Sequence, residues 1–402
     1  MSRPTLADIL RTHGAAYRQT HALSREQGRA WRAIVACRTA ALGGTRERCS
    51  HCGFERAVYC SCGNRHCPQC QTRAKERWRL ARLRELLPVP YAHWVFTLPH
   101  ALNPLAAIHP VPVFEALFAS VAATLATLAN NPRWLGATPA VTLVLHTWTQ
   151  DLRRHLHVHA LVTCGGLDDS GHWRSPARGQ GFLFPVKAAS KVFRAHLLDA
   201  LDAQRARGQL PHDPEGAPAP WQHRRRALLA HDWVVYAKPP PGGPAQVLDY
   251  LARYTHRTAL SNERLLGDED GAIHLRVRDR QCGTRHTLAL DAQTFIGRFL
   301  QHVLPKGFKR IRHFGLLAAA QKRTRLSRAR AALNAPEPRA ETIETAQAFL
   351  ARVGGTDPCC CPHCRIGRWI CMGRIAPIRM QVTRCRPVTP PAPEPRSRDG
   401  PS

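Results

Sequence analysis

The sequence is short of acidic residues. It has 28 Asp and Glu against 58 Lys and Arg, which gives a formal net charge of +30 over 402 residues. A surface with so few carboxylates attracts polyanions, and nucleic acid is the polyanion that this charge favours. Lysine is scarce as well, with seven residues. A GC-rich genome would explain arginine in place of lysine, but it does not explain the excess of both over Asp and Glu.

Long apolar runs are also missing. Residues 1–32 are polar and mixed, which does not fit a signal peptide. The longest weakly charged stretch, 116–131, is short and rich in Ala and Thr, and it predicts a buried helix rather than a membrane span. We therefore expect no membrane partner. We also expect a reducing cytoplasm, in which clustered cysteines bind metal more often than they form disulfides.

The fifteen cysteines divide the chain. Seven lie between Cys37 and Cys70, six lie between Cys359 and Cys385, and only two lie between these groups. This distribution predicts a helical and zinc-binding N-terminal module over residues 1–88 and a catalytic domain over residues 89–318. Residues 319–402 are predicted to form a basic linker, a cysteine-containing tail and a disordered end rich in Pro, Ser and Arg.

Two Cys-x2-Cys pairs predict a structural zinc site in the N-terminal module. Cys49 with Cys52 and Cys67 with Cys70 would each place two thiolates on a tight turn, and together they would complete one tetrahedron. A second N-terminal site is left open by four further potential ligands, which are Cys37, Cys60, Cys62 and His66.

The tail contains a third pair, Cys361 and Cys364, which leaves another zinc site open there. Basic residues surround the N-terminal cysteines and would lie along a phosphate backbone. They are Arg46, Arg48, Arg56, Arg65, Arg73, Lys75, Arg77 and Arg79.

Residues 155–163, HLHVHALVT, predict a strand with a metal-binding face. Side chains alternate along a strand, so His155, His157 and His159 share one face and the apolar residues share the other. His146 lies on the preceding predicted strand, where a hairpin could bring it opposite His157 and His159 as a third ligand. Imidazoles suit Mn2+ and Zn2+ better than Mg2+, but Mg2+ is workable if the ion also binds phosphate oxygens.

The segment from about Ala245 to His256 predicts a helix that carries two tyrosines. Tyr250 and Tyr254 are four residues apart and so lie on one helix face, with Arg253 and Arg257 in the same turns as phosphate ligands. A phenol can attack phosphorus and form a covalent phosphotyrosine. Two tyrosines at this spacing alone more often form a packed helix face. A strand with a metal-binding face in the same chain, however, favours the interpretation of these tyrosines as nucleophiles.

The chain resembles the HUH endonuclease superfamily. His157-Val158-His159 is similar to its His-hydrophobe-His motif, and Tyr250-x3-Tyr254 is similar to the paired tyrosines of its two-tyrosine members. Within the superfamily the chain looks like the rolling-circle transposases of the insertion sequence 91 family. The segments that carry this resemblance are CGNRHCPQCQ (62–71), LLPVPYAHWVFTLP (86–99), HTWTQDLRRHLHVHALV (146–162), YLARYTHRTALSN (250–262) and RFLQHVLPKGFKRIRHFG (298–315).

The resemblance covers roughly residues 30–320 in order, with small departures. Leu156 stands where proline is common, Thr149 where glycine is usual, and Thr45 where a histidine is expected. None of these is a motif histidine or tyrosine. The change at Thr45 weakens the case for a second N-terminal metal site.

The resemblance implies a fold and a reaction. The fold is α+β, with a central antiparallel sheet that carries the histidine motif, flanking helices, and a small zinc-binding module in front. A Mg2+ or Mn2+ ion at His157 and His159 would polarise the scissile phosphate of single-stranded DNA. One tyrosine would attack to leave a 5′-phosphotyrosine and a free 3′-OH, and the second tyrosine would accept the next strand.

We also expect DNA contacts, partners and a location. Single-stranded element ends are the expected partner, with self-association and host replication factors as further ones, in a bacterial cytoplasm at the nucleoid. A basic run after a predicted helix is suited to contacts with the DNA backbone. Its members are Lys306, Lys309, Arg310 and Arg312.

Three alternatives stay open. The first is an HUH relaxase or replication initiator with the same chemistry, against which the zinc module and the YTHR segment argue. The second is a non-catalytic zinc-dependent DNA-binding protein, against which the two intact motif pairs argue. The third is a transposase with three carboxylates and two metals, which the scarcity and loop-like setting of the acidic residues disfavour.

Overall fold

The computed structural model describes residues 3–177, 183–213, 220–238, 245–246, 248–249, 252, 259–278, 283–338, 344–355 and 357–378. Within them lie eleven bounded α-helices: α1 (Leu6–Thr12), α2 (Gly14–Thr20), α3 (Arg25–Ala36), α4 (Gln71–Leu83), α5 (Asn103–Ile108), α6 (Pro110–Asn130), α7 (Val186–Ala206), α8 (Trp221–Ala230), α9 (Ala292–Leu300), α10 (Lys322–Ala332) and α11 (Ala346–Gly354). The strands are β1 (Gly44–Cys49), β2 (Glu55–Tyr59), β3 (Tyr91–Thr97), β4 (Ala140–Trp148), β5 (Arg154–Thr163), β6 (Gly166–Leu167), β7 (Trp173–Arg174), β8 (Val235–Lys238), β9 (Leu265–Glu269), β10 (Ala272–Arg278), β11 (Arg285–Asp291), β12 (Ile311–Gly315) and β13 (Trp369–Ile375).

The largest sheet has five strands in the order β12-β4-β5-β3-β8. Every neighbouring pair in it is antiparallel, and β5, the histidine strand, is in the middle. Helices flank the sheet, and a cysteine-rich module with its own small sheet lies beside it. The predicted α+β fold, with a central antiparallel sheet that carries the histidine motif, is confirmed.

One face of β5 is apolar. Leu156, Val158, Ala160 and Val162 alternate with the histidines, and each is at most 1 % exposed. Because successive strand residues point to opposite faces, these four side chains lie together. They share a single hydrophobic core with residues of α6 and α7. The alternation of the sequence therefore fixes which side of the sheet the helices cover.

Helix α6 supplies much of this core. Its 21 residues are long and apolar enough, by length and composition, to cross a membrane. Phe114, Leu117, Phe118, Val121 and Leu125, however, follow one another at helical spacing and are all buried in the core of the sheet. The buried helix predicted here is confirmed.

The other face of the sheet carries the histidines and a second core. Tyr91, Ala140 and Leu161 pack there with Leu326 and Ala329 of α10. Helix α10 lies where the sequence predicted the start of a basic linker, and its apolar side covers this end of the sheet. The N-terminal helices pack with α9 in a third core. Both faces of the sheet have helical neighbours, because α6 and α7 cover one face and α10 packs on the other.

A three-stranded sheet in the order β13-β1-β2 joins distant parts of the chain. Strand β1 pairs antiparallel with β2, which follows it directly, and with β13, which lies more than 300 residues later. The register on that side runs from Gly44 opposite Ile375 to Cys49 opposite Trp369. A segment predicted as tail is thus a strand of the N-terminal sheet.

The core beneath β5 can be tested at Phe96. This side chain is fully buried, and its ring meets Phe193 of α7 edge to face at 5.2 Å between centroids. We expect Phe96→Ala to lower the free energy of unfolding by about 3–5 kcal/mol, because it removes buried surface and leaves a cavity. Urea denaturation would measure the loss.

Val234→Ala is the matched control for this substitution. Val234 precedes β8 at the edge of the same sheet and is 61 % exposed, so its truncation should change the unfolding free energy by less than about 0.5 kcal/mol. Equal effects of the two substitutions would contradict the placement of the core.

Candidate metal centre and nucleic-acid interface

Two adjacent strands bring three histidines together. In the antiparallel pair of β4 and β5, His146 is opposite His157 and Val144 is opposite His159. Directly opposed residues of an antiparallel pair share a face of the sheet. The side chains of His146, His157 and His159 are therefore on one side, in the hairpin register that the sequence predicts.

The three rings form a compact, buried group. Their candidate ligand nitrogens all lie within 4.8 Å of one another, and the ring centroids of His146 and His159 are 4.3 Å apart. The exposed fractions are 3 % for His146, 9 % for His157 and 5 % for His159. Within the described part of the chain this group contains no carboxylate. An all-imidazole donor set fits Mn2+ or Zn2+ better than Mg2+.

Hydrogen bonds at Nδ1 orient two of the rings. Nδ1 of His157 lies 3.0 Å from the carbonyl oxygen of His155, to which it donates. Nδ1 of His159 lies 2.8 Å from Nε2 of His93 on β3. With Nδ1–H as the donor in both bonds, Nε2 of each ring keeps its lone pair for a metal, which is the usual way in which a neighbouring group orients a histidine ligand.

Burial favours the neutral form of two of these imidazoles, those of His146 and His159. It lowers the pKa of His146 and His159 well below the usual 6.5, and the neighbouring histidines add to the effect because two imidazolium charges would repel. Burial also lowers the pKa of His93 to about 4, with Lys238 contributing. Around neutral pH the rings therefore present lone pairs rather than charges.

The remaining histidine of the motif strand lies beside this group. Nδ1 of His155 is 3.2 Å from Nε2 of His100, and His155 is outside the set of nitrogens that converge. This agrees with the role of a flanking residue.

The tyrosine segment is only partly described. Tyr250, Tyr254, Arg253 and Arg257 lie outside the described residues. Residues 245–246, 248–249 and 252 are helical, as the sequence predicts for this segment. Leu248 is buried and shares a core with Leu161, which lies on the same face of β5 as His157 and His159. Leu248 therefore packs on the histidine face of the sheet.

The four residues of the basic run have different surroundings, since the two lysines are exposed and the two arginines are buried or hydrogen-bonded within the protein. Lys306 and Lys309 are exposed and line a groove of about 640 Å3 beside β12. Arg65 of the N-terminal module anchors this loop, because its guanidinium donates hydrogen bonds to the carbonyl oxygens of Pro305 and Phe308 at 2.8 and 2.6 Å. The two lysines remain accessible to a phosphate backbone.

The two arginines of the run interact more closely with the rest of the protein than the lysines do, and their role as DNA contacts stays a prediction. Arg310 is only 8 % exposed, and burial lowers its pKa to about 9. The guanidinium of Arg312 donates to both carboxylate oxygens of Glu115, at 2.6 and 2.5 Å, and lies over the ring of Phe118. Arg312 nevertheless lines the same groove as Lys306 and Lys309, whereas Arg310 is almost fully buried.

The N-terminal cysteines form a different site from the predicted one. Cys37, Cys62, Cys67 and Cys70 have their sulfurs within 4.8 Å of one another. Cys37 lies at the end of α3, and Cys70 precedes α4. The Sγ atoms of Cys37 and Cys62 lie 3.4 and 3.5 Å from that of Cys70. Four converging thiols are the donor set of a structural zinc ion.

The grouping of Cys49 and Cys52 with Cys67 and Cys70 is therefore wrong. The first pair lies at the turn between β1 and β2, and its sulfurs converge with those of a tail pair instead. Pairing along the sheet places that turn next to β13 and away from α4.

Of the four further potential ligands in the N-terminal module, two belong to this cluster and two do not. Cys37 and Cys62 belong to the cluster, whereas Cys60 does not. Nε2 of His66 accepts the N–H of Leu304 at 3.1 Å, and its Nδ1 lies 3.1 Å from Oδ1 of Asn64. Both nitrogens of His66 are used within the protein, so it is not a metal ligand here.

Two family models match the chain. The model described as "Transposase zinc-binding domain" matches residues 9–98, and the model described as "Putative transposase" matches residues 140–325. The curated "Putative transposase y4qJ" of Sinorhizobium fredii is 41 % identical over 379 residues, which cover 92 % of this chain and 95 % of that protein. The chain belongs to the insertion sequence 91 family of transposases.

A second relative is less similar in sequence. The "Transposase for insertion sequence element IS801" of Pseudomonas savastanoi pv. phaseolicola is 28 % identical over 347 residues, which cover 82 % of this chain and 80 % of that protein. As a member of the insertion sequence 91 family, the chain is a DNA-processing enzyme with a zinc-binding N-terminal region.

Among solved structures, the conjugative relaxase TrwC in complex with OriT DNA, in its metal-free form, is similar to part of the chain. The match covers 59 % of this chain and 96 % of that one at 13 % identity, with a TM-score of 0.25. At that score the likeness bears on neither fold nor activity.

Sequence reasoning missed His93 and the way in which the Cys-x2-Cys pairs combine. His93 lies on β3, and alternation along a strand places it on one face, but the order of the strands decides that this face holds His159. Tyr236 was missed for the same reason. It is 40 % exposed on β8 and opposite Val95, which is itself opposite His159.

The corrected cysteine grouping can be tested by metal content. We expect Cys62→Ser to lower bound zinc by about one ion per chain relative to the wild-type protein, because it removes a ligand from a four-thiolate site. Inductively coupled plasma mass spectrometry would measure the loss. Cys60→Ser is the control, since Cys60 is exposed and outside the cluster. Loss of zinc from the Cys60 variant alone would refute the grouping.

Proposed function

We propose that this transposase nicks single-stranded DNA at the ends of its element and transfers the strand through a covalent 5′-phosphotyrosine. The observation that carries the proposal is the buried group of His146, His157 and His159, held on the middle strands of the sheet in a chain of a transposase family. Three oriented imidazoles without a carboxylate are more than a packed core needs, because each buried polar ring costs free energy unless it gains a partner.

The proposed metal ligands are these three histidines. Their convergent nitrogens fit a divalent cation, and the Nδ1 hydrogen bonds of His157 and His159 leave the Nε2 lone pairs available to it. When bound, Mg2+ or Mn2+ would supply positive charge at a non-bridging oxygen of the scissile phosphate. The zinc of the N-terminal region would have the structural role.

The proposed nucleophiles are Tyr250 and Tyr254. Their four-residue spacing on a helix puts both phenols on one face, and Leu248 ties that helix to the histidine face of β5. Attack by a phenol oxygen forms a Tyr–phosphorus bond and breaks the bond from phosphorus to the 3′ oxygen. The phenol proton ends on that departing oxygen, which becomes the free 3′-OH. The bond energy is retained in the phosphotyrosine, so ATP is not consumed.

The proposed DNA contacts are the cations near these groups. In the helix that the sequence predicts, Arg253 and Arg257 would share turns with the tyrosines and could bind the phosphates on either side of the cleaved one. Lys306 and Lys309 line the groove beside β12 and could follow the strand away from the site. Single-stranded DNA is the substrate that the resemblance to the HUH superfamily implies for this arrangement.

The test is adduct formation by the full chain. Labelled single-stranded oligonucleotide with an element end, plus Mn2+ or Mg2+, should give a protein–DNA adduct that survives denaturation. We expect the adduct to disappear in the Tyr250→Phe/Tyr254→Phe variant, which has no attacking phenol, and in the presence of EDTA. Tyr59→Phe is the control, because Tyr59 lies on the small sheet, and it should retain the adduct.

Two results would overturn the proposal. One is the absence of any adduct on a true element end with metal present, which would favour a non-catalytic DNA-binding protein. The other is an adduct that persists in the double variant and disappears in Tyr236→Phe, since Tyr236 also lies on the histidine side of the sheet.

The role of His93 gives a separate prediction. His93→Ala removes the acceptor of the His159 Nδ1 hydrogen bond, and we expect the affinity for Mn2+ at this site to fall by about 10- to 100-fold. The nicking rate should be measured as a function of Mn2+ concentration. Its midpoint should move to a higher Mn2+ concentration, while the maximal rate should change less than the midpoint does. His93→Gln restores an acceptor and should recover part of the affinity.

His100→Ala is the control for this experiment. His100 touches His155 only at the edge of the group, so its removal should leave the Mn2+ midpoint in place. An unchanged midpoint in His93→Ala would show that His93 does not orient His159.

A further inference from the structure

Four thiols converge at a second place, where the two ends of the described chain meet. Cys49 and Cys52 come from the turn between β1 and β2, and Cys361 and Cys364 come from the turn that leads into β13. Cys52 and Cys361 are 309 residues apart in sequence. The tail pair lies outside residues 9–98, which the zinc-binding family model covers.

The sulfur spacing is that of a tetrahedral zinc site. Sγ of Cys49 is 3.6 Å from Sγ of Cys364, and Sγ of Cys52 is 3.9 Å from Sγ of Cys361. With zinc–sulfur bonds of about 2.3 Å, the edges of a tetrahedron of sulfurs are about 3.8 Å long. A disulfide would need a sulfur–sulfur distance of about 2.0 Å, so the spacing argues for four separate thiolates.

Backbone amides support the thiolate form. The N–H of His51 is 3.4 Å from Sγ of Cys49, and the N–H of Gly367 is 3.4 Å from Sγ of Cys364. Donors aimed at sulfur stabilise the charged form of a thiol. In the first pair the amide lies between the two cysteines and points at Cys49, and in the second pair it follows the two cysteines and points at Cys364.

The two turns are in direct contact. Ser50 and Arg368 exchange two hydrogen bonds, from N–H of Ser50 to the carbonyl oxygen of Arg368 and from N–H of Arg368 to Oγ of Ser50, both at 2.9 Å. A Cβ atom on Gly367 would lie 2.3 Å from Sγ of Cys49. Only a residue without a side chain lets the two turns approach so closely.

The small sheet has no apolar core that would hold it together. Val58, Tyr59, Ile370 and Met372 are all more than a third exposed, whereas Cys49 and Cys361 are buried. The contacts outside the cysteines are surface ones, such as the stack of Phe54 on His363 and Arg56 over Trp369. Small units without a core are usually held by a metal or by disulfides.

We propose that a zinc ion bound by Cys49, Cys52, Cys361 and Cys364 fastens the C-terminal segment of the chain to the N-terminal module. The site is a zinc ribbon whose two halves come from opposite ends of the sequence. It is separate from the cluster of Cys37, Cys62, Cys67 and Cys70, and it makes residues 361–375 a structural part of the N-terminal module. Four thiolates in a tetrahedron select zinc over Mg2+ or Mn2+.

The test compares the zinc content of full-length variants. We expect Cys361→Ser/Cys364→Ser to hold about one zinc ion fewer per chain than the wild-type protein. Cys359→Ser/Cys371→Ser is the matched control, because these cysteines belong to the same segment but lie outside the cluster; it should keep the full zinc content. Equal zinc content in the wild type and the Cys361/Cys364 variant would overturn the proposal.

A second measurement separates loss of the ion from general misfolding. Hydrogen–deuterium exchange should show that β13 loses protection in the Cys361/Cys364 variant, while β4 and β5 keep theirs. Cys52→His should retain zinc, because three thiolates and one imidazole also bind it. Substituted with Co2+, that variant should show an altered ligand-field spectrum. Disulfides at these four cysteines in protein purified under reducing conditions would also refute the site.

The test of the zinc ribbon is independent of the proposed nicking activity. The zinc measurements use no DNA, and the adduct assay reports on the histidines and tyrosines. A chain that forms the adduct but holds no zinc at the ribbon, or the reverse, would decide the two proposals separately.

Discussion

The arrangement of the molecule depends on one constraint, which is the strict alternation of side chains on the middle strand of a sheet buried on both faces. On β5 the residues between the histidines are aliphatic, and they can only enter a core if the histidines point the other way. A register shift by one residue would place imidazoles against α6 and α7 and expose the aliphatic side chains. The hydrophobic effect on one face thereby fixes the position of the polar groups on the other.

Burial of polar rings then has to be compensated. His146, His157 and His159 lose hydration, and each imidazole costs free energy unless it finds a partner. The carbonyl of His155 and the ring of His93 satisfy one nitrogen each on two of the histidines, and they leave the second nitrogens directed at a common point. A rigid sheet holds these atoms more precisely than loops would.

The parts of the fold that depend on local pattern could be predicted from sequence. The strands of the histidine hairpin and the buried helix α6 follow from periodicity and residue type, whereas the α+β class is implied by the resemblance of the motifs to a known family. What could not be predicted is the order in which distant segments meet. The pairing of Cys49 with Cys364, the approach of His93 to His159 and the bidentate hold of Glu115 on Arg312 each depend on strand order or on contacts across most of the chain. Two Cys-x2-Cys motifs close in sequence look like one site, yet a strand from elsewhere can separate them.

The antiparallel pairing of β1 with β13 also has a consequence for the order of synthesis. Gly44 leaves the ribosome more than 300 residues before its neighbour Ile375, and until then one edge of the N-terminal sheet has no strand to pair with. Native contacts of such long sequence separation form late and slow the completion of folding. A chain that ends before β13 would keep the histidine sheet but lack the last strand of this module. The N-terminal module can therefore be completed only after the C-terminal segment has been synthesised.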